Sequence, residues 1–158
     1  MATLAQLVGI GALEPHEPDL EHDEQPVRFI YLAPSFEAAI VARIAGQPKV
    51  RGRNLRPIEQ VEMVFYEFVV GRPMSYGVNI KKLEPVGHHV WEMKTEDTRI
   101  FGWIARKGCF VAVDVEMKSN LTTNALYTPF IESVVAFRTQ LNLDPPKSLT
   151  GGIVNALI

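Results

Sequence analysis

With 158 residues, of which 47% are hydrophobic, the chain is long enough for one domain with a core and too short for two. The formal net charge of −2 argues against a generally basic coat for nucleic acid, and the single cysteine, Cys109, excludes an internal disulfide and a cysteine-based zinc site. No apolar run approaches the roughly 20 residues of a membrane span, and no cationic stretch precedes the apolar N-terminal residues, so we expect a cytoplasmic protein with no membrane partner.

Residues 1–26 have the composition of a flexible arm. Six carboxylates and no Lys or Arg fall between residues 14 and 24, and prolines and glycines interrupt the segment. This composition is typical of a disordered leader that keeps a protein in solution, with a short apolar anchor at Leu4, Leu7, Val8 and Ile10 as a further option. The alternative is a built-in brake, in which the acidic arm occupies a basic groove in place of nucleic acid.

Two helices are predicted after a first strand at residues 27–32. Ser35 suits the N-cap of a helix that runs to about Ala45. The second helix, from Pro57 to about Val70, has apolar residues at the spacing of a buried helix face. The loop between them carries four cations and no acid over residues 49–56. This loop is either a solvated connector or a contact to phosphate groups.

Residues 89–118 predict three consecutive strands, at about 89–94, 98–104 and 109–115, with a turn before the last. The unit places several cations at strand ends and in turns, an arrangement that would suit a polyanion. The alternative is that they are solvated edge residues, which discourage aggregation between sheets, or, for the arginine of the second strand, a salt-bridged structural residue. These cations are Lys94, Arg99, Arg106, Lys107 and Lys118.

The remaining elements complete an α+β order. His88 and His89 are adjacent, so on a strand they point to opposite sides, and we expect neither a metal site nor a cofactor. Residues 124–141 predict a last helix. The order β-α-α-β-β-β-α indicates a small, mainly antiparallel sheet with helices packed on one face. The α+β domain then covers residues 27–143, followed by a C-terminal tail at 144–158.

Several strings in this order resemble the RelE/ParE toxin superfamily, and within it the HigB-like or phage Gp49-like group. The string VRFIYLAPSFE, residues 27–37, resembles the opening strand and helix start of that family. Lys82-Leu83-Glu84, with the string VWEMK that begins at Val90, resembles its leucine and leucine-tryptophan-glutamate pattern. The string DTRIF, residues 97–101, resembles its next strand, and the string CFVAVDVEMK, residues 109–118, resembles the strand that ends in a lysine. The resemblance covers roughly residues 27–140.

The resemblance implies an endoribonuclease that cleaves mRNA at the ribosome, as one component of a type II toxin-antitoxin system. In such an enzyme the ribose 2′-OH attacks the adjacent phosphate, and positioned cations stabilise the charge that develops. Arg99 would be the phosphate clamp, because its fork binds a phosphate through two donors. Lys94 and Lys118 would be secondary cations, and Tyr127, His88 or His89 the general acid or base. The resemblance further implies RNA-binding roles for Lys81, Lys82, Arg106, Lys107, Lys49, Arg51 and Arg53.

The implied partners are a cognate antitoxin, mRNA and the ribosome, and a homodimer stays open. Ser119 and Asn120 follow Lys118 where the family often has a second lysine. The alternative function is therefore a non-catalytic binding module on the same fold, with a gyrase-type or phage or host protein partner. Convergence of Lys94, Arg99 and Lys118 on one concave face would favour the ribonuclease. If these cations instead point apart, or pair with carboxylates such as Glu92, Asp114 and Glu116, the binding module is favoured.

Overall fold

The computed structural model describes residues 1–157, and its strands form a single mixed sheet. The six strands lie in the spatial order β1-β2-β6-β5-β4-β3. The pair β2 and β6 is parallel, and every other neighbouring pair is antiparallel. The strands are β1 (Glu14–His16), β2 (Phe29–Leu32), β3 (Ile80–Lys82), β4 (Trp91–Lys94), β5 (Thr98–Arg106) and β6 (Cys109–Met117).

Along the chain, helices precede the first strand, separate β2 from β3 and follow β6. Five α-helices are described. Helix α2 continues directly into one turn of π-helix, Ile40–Ile44. The helix predicted to run to about residue 45 is therefore present, but its second half is a wider π-helix. Short 3-10 turns at Val86–His88, Lys118–Asn120 and Asn124–Tyr127 lie at the ends of strands or before α4. The α-helices are α1 (Leu4–Gly9), α2 (Pro34–Ala39), α3 (Pro57–Val69), α4 (Thr128–Gln140) and α5 (Ile153–Leu157).

The α+β class and the mainly antiparallel sheet are confirmed, but the helices cover both faces of the sheet. Strand β5 explains why, because its residues Thr98 to Ala105 are all buried. Ile100 and Ile104 contribute to a core with α2 and α3, whereas Phe101 and Trp103 contribute to a second core with α1 and α4. A strand that is apolar on both faces needs a covering layer on each side.

Residues 2–16 lie against the sheet rather than extending from it as an arm. Thr3 caps α1, accepting a hydrogen bond from the backbone of Gln6. The apolar face of this segment is buried in the second core through Leu4, Leu7 and Leu13. Strand β1 then pairs with β2 at the edge of the sheet. Of the apolar residues expected to anchor this segment, Leu4 and Leu7 are buried, whereas Ile10 is exposed.

The C-terminal segment is also attached to the sheet. The indole Nε1 of Trp103 donates to the backbone oxygen of Lys147 at 2.7 Å, and Arg106 donates to the carbonyls of Asp144 and Pro146. Helix α5 packs against the first core. Ile158, the last residue of the predicted tail, lies outside the described residues. Within residues 1–157, no helix combines the length and the apolar character that a membrane crossing requires.

Candidate functional site

The strand register collects polar side chains at one end of the sheet, on the face that α4 covers. Arg99 of β5 lies opposite Lys94 of β4 and opposite Glu116 of β6. Glu92 lies opposite Phe101, two residues along the same pair of strands. Because directly opposed residues point to the same face, these five side chains share one surface of the sheet.

Glu92 is the most unusual residue of this surface. Its side chain is 3% exposed, and its Oε2 atom has no hydrogen-bond partner among the described residues. Burial raises the pKa of the Glu92 carboxyl, and the positive charges of Arg99, Lys94 and Lys81 oppose that rise. A buried carboxyl with a free oxygen and a raised pKa is more typical of a functional site than of a structural core.

Arg99 is also buried and also incompletely bonded. It is 6% exposed, and its Nη1 atom donates to the backbone oxygens of Thr95 at 2.6 Å and Thr98 at 2.8 Å. Its Nε atom has no partner among the described residues. The carbonyls hold the guanidinium in place, and the Nε donor is buried without a partner among the described residues.

Tyr127 lies beside both residues, at the end of the 3-10 turn before α4. Its ring meets Phe101 edge to face, with 5.8 Å between the ring centroids. Burial raises the pKa of the Tyr127 hydroxyl, the negative charge of Glu92 adds to the rise, and Arg99 opposes it. The hydroxyl therefore keeps its proton at neutral pH and can donate it.

Two clefts meet at Tyr127. The Arg99 cleft has a volume of about 440 Å³ and contains three of the four predicted catalytic residues. The Glu92 cleft, of about 360 Å³, lies on the other side of Tyr127. The polar residues of the Arg99 cleft include Arg53, Glu96, Asp97, Arg99, Lys118 and Tyr127. Those of the Glu92 cleft are Lys81, Glu84, His88, Glu92, Asn124, Tyr127, Thr128 and Glu132.

The predicted cations near these clefts differ in how much of their charge is free. Lys94 lies next to Arg99 in the register, but its Nζ atom donates to the backbone oxygen of Gly77 at 2.9 Å. Arg53 forms ion pairs with Glu96 at 3.0 Å and Asp97 at 3.2 Å. Lys118 and Lys81 are exposed, and each lines one of the clefts.

The other predicted RNA-binding cations do not join this site. Lys82 donates to the backbone oxygen of Gly151 at 3.0 Å, and its Nζ atom lies 5.3 Å from the Trp91 ring centre. Arg106 holds the C-terminal segment through the carbonyls described above. Lys107 is exposed at the turn between β5 and β6, and neither cleft includes Lys49 or Arg51, which are also exposed.

Glu92 was not among the predicted site residues, and neither was Arg43, which lines neither cleft but pairs with acids of β6. The sequence feature that could have indicated Glu92 is its position between Trp91 and Met93, two apolar residues of the same strand. Arg43 pairs with Asp114 at 2.7 Å and lies 3.9 Å from Glu116, with its guanidinium 5.6 Å from the Phe130 ring centre. The sequence gives no comparable signal for Arg43, because its partners are more than 70 residues away.

The arrangement brings together a carboxyl, a guanidinium and a hydroxyl, groups that can accept a proton, stabilise negative charge and donate a proton. Among residues 1–157, no three His, Cys, Asp or Glu side chains are grouped closely enough to hold a metal ion. Neither a scan against protein-family models nor searches of curated proteins and of solved structures returns a match to the chain.

Proposed function

We propose that this protein is a toxin-like endoribonuclease of the RelE type that acts in the cytoplasm on mRNA at the ribosome. One observation carries the proposal. Glu92 and Arg99 are both buried on one face of the sheet, each keeps an unpartnered polar atom, and Tyr127 adjoins them. The resemblance of residues 27–140 to the toxin superfamily supports the same reaction class.

In the proposed reaction Glu92 is the general base. Its carboxylate removes the proton of the ribose 2′-OH, whose oxygen then forms a bond to the adjacent phosphorus. A carboxyl whose pKa is raised by burial is a stronger base once it is ionised, so the burial of Glu92 favours this role. The bond from phosphorus to the 5′-oxygen breaks, giving a 2′,3′-cyclic phosphate and a free 5′-hydroxyl.

Arg99 and Tyr127 complete the proposed reaction. The free Nε donor of Arg99 binds a phosphate oxygen and stabilises the charge that develops there. Tyr127, protonated at neutral pH, donates its proton to the leaving 5′-oxygen. Lys118, which is exposed and lines the same cleft as Arg99, would hold a neighbouring phosphate, whereas Arg53 is paired with Glu96 and Asp97.

Access to this site requires a movement of residues 118–127. This segment follows β6, and through Lys118, Leu121 and Tyr127 it forms a wall of the Arg99 cleft. With Glu92 only 3% exposed, RNA would reach the pair only when the segment shifts. A ribosome that displaces this segment, or a cognate antitoxin that holds it in place, would control the activity.

The second candidate is a non-catalytic binding module, with an antitoxin-like, gyrase-type or phage or host protein partner. The observation in its favour is that Lys94 and the Nη1 atom of Arg99 donate to backbone carbonyls. Cations used in this way hold loops rather than a substrate. In this case Glu92 and Arg99 would stabilise a surface for a protein, or for a second copy of the chain.

The experiment that separates the candidates measures RNA cleavage by purified wild-type protein, with ribosomes, against Glu92→Gln. We expect wild-type cleavage to leave 2′,3′-cyclic phosphate ends, and Glu92→Gln to lower the rate by about 10²- to 10⁴-fold, the usual contribution of a general base. The matched control is Glu62→Gln, which makes the same change at an exposed position of α3. Intact RNA with every variant, or equal rates for wild type and Glu92→Gln, would reject the ribonuclease.

A further inference from the structure

The Glu92 cleft has the features of a small, built pocket. Its volume of about 360 Å³ is near the lower end of ligand sites, which run from about 300 to 1,000 Å³, so it suits one nucleotide rather than an oligomer. Leu83, Pro85 and Ile131 supply apolar walls, and Glu84, Glu132 and Asn124 supply polar groups. Glu92, 3% exposed and with an unpartnered Oε2 atom, lies at its inner end beside Tyr127.

The two clefts differ in the chemistry they offer. The Arg99 cleft contains the cations Arg53, Arg99 and Lys118 and the carboxyls of Glu96 and Asp97. Both carboxyls pair with Arg53, so Arg99 and Lys118 are the cations that suit a phosphate group. The Glu92 cleft instead contains three carboxyls and one Lys, Lys81. Carboxylates accept hydrogen bonds and repel phosphates, so an RNA lying across Tyr127 would place its phosphate in the Arg99 cleft and its base in the Glu92 cleft.

Carboxylates discriminate among the four bases by the donors that each base presents. Guanine presents two adjacent donors, N1–H and N2–H, which match the two oxygens of one carboxylate. Adenine and cytosine present one amino group beside an acceptor, and uracil presents one N–H between two acceptors. A carboxylate in the pocket would therefore bind guanine through two hydrogen bonds and the other bases through fewer.

We propose that the Glu92 cleft is a guanine subsite, in which Glu132 accepts hydrogen bonds from N1–H and N2–H of the base. This inference rests on the proposed function, because it places the base on the 5′ side of the cleaved phosphate. Glu132 belongs to the 13-residue helix α4, whereas Glu84 lies in a loop before Pro85. A carboxylate on a rigid helix holds its geometry better than one on a loop, so Glu132 is assigned the recognition and Leu83 and Ile131 the packing against the ring.

The test measures the binding of the four 3′-mononucleotides to the full-length protein by titration calorimetry, independently of cleavage. We expect 3′-GMP to bind about tenfold or more tightly than 3′-AMP, 3′-CMP or 3′-UMP. Glu132→Gln should remove this preference by weakening the binding of 3′-GMP more than that of 3′-AMP, because guanine loses two hydrogen bonds to the carboxylate and adenine at most one. Glu132 is exposed, so the substitution leaves folding intact, and Glu62→Gln on α3 is the matched control.

Equal binding of the four nucleotides by the wild type would overturn the inference, and so would a preference that survives Glu132→Gln. Loss of the preference in Glu84→Gln alone would overturn the assignment to Glu132. The proposed function is judged separately, by cleavage. An enzyme that cleaves RNA but binds all four nucleotides equally keeps the function and loses the subsite. A protein that prefers 3′-GMP but cleaves nothing loses the function and keeps the subsite, as that of a binding module.

Discussion

Replacing Glu92 by glutamine should stabilise the protein at neutral pH, although the residue lies in the core. Burial is the main influence on its carboxyl and raises its pKa above the ordinary value of about 4.3. The folded state therefore holds the Glu92 proton to a higher pH than the unfolded chain does. Between the two pKa values the folded state binds more protons, so the free energy of unfolding falls as the pH rises through that window.

The size of the effect follows from the same linkage. Each unit by which burial raises the pKa of Glu92 lowers the free energy of unfolding by about 1.4 kcal/mol once the pH exceeds the folded pKa. Below about pH 4 the carboxyl is protonated in both states and this contribution vanishes. A glutamine side chain at this position cannot ionise, so Glu92→Gln should exceed wild type in stability at pH 8 and equal it near pH 4. For a domain of this size, each kcal/mol corresponds to a melting-temperature rise of about 2–4 °C.

The assay is urea unfolding of wild type and Glu92→Gln at pH 4 and pH 8, with Glu62→Gln as the exposed control. Other carboxyls titrate equally in all three proteins, so the difference between variants isolates position 92. The reasoning is refuted if Glu92→Gln is less stable than wild type at pH 8. That outcome would mean that attraction from Arg99 outweighs burial, and that the pair is a structural salt bridge.

Three further substitutions test other parts of the structure. Arg28→Ala should lower the free energy of unfolding by roughly 3 kcal/mol in a denaturant assay. The buried Arg28 side chain donates hydrogen bonds to the carbonyls of Phe68, in α3, and Arg72, just after it. The exposed control Arg51→Ala should change that free energy by under about 0.5 kcal/mol. Gly102→Ala should prevent stable folding, seen as loss of a cooperative melting transition, because its new Cβ would collide with the backbone oxygen of Val111. Tyr127→Phe keeps the aromatic packing, so it should leave the melting temperature unchanged and lower RNA cleavage by about 10²-fold.

The elements that the sequence predicted well are those with a single periodic signal. Helices α3 and α4 and strands β4, β5 and β6 all appear within a few residues of their predicted bounds. The parallel pairing of β2 with β6 was not predicted, because it joins residues about 80 apart and no local pattern records it. Helix α1 and strands β1 and β3 were missed for a different reason. They have six, three and three residues, too few to show a period, and their order comes from tertiary contacts.

The placement of helices on both faces was not predicted, although the sequence places Arg99, Phe101 and Trp103 on one face of β5 and Ile100 and Ile104 on the other. Two apolar faces require two covering layers, but the sequence does not show which helix covers each face. In the structure Phe101 stacks on Phe130 at 4.8 Å and Trp103 packs near Phe137 at 6.1 Å, so that α4 covers most of this face. Arg99, on the same face, is also buried, and its Nε atom has no hydrogen-bond partner among the described residues. The sequence shows which residues of β5 share a face, but it does not show how far α4 extends over that face.

In the candidate site, charged residues were easier to identify from the sequence than buried ones. Its cations Arg99 and Lys118 were named as candidates, because a Lys or Arg in or beside a predicted strand is visible without a structure. Its carboxyl was not, because an acid in a strand becomes unusual only when its exposure is known. Yet Glu92 constrains the function more than any cation does, since a buried carboxyl with a free oxygen contributes nothing to stability that glutamine would not. If Glu92→Gln raises stability and abolishes RNA cleavage, the protein keeps a carboxyl that is costly to bury because catalysis needs it. If it raises stability and changes neither cleavage nor nucleotide binding, the pair of Glu92 and Arg99 serves neither the ribonuclease nor the base subsite, and the binding module becomes the better account of the fold.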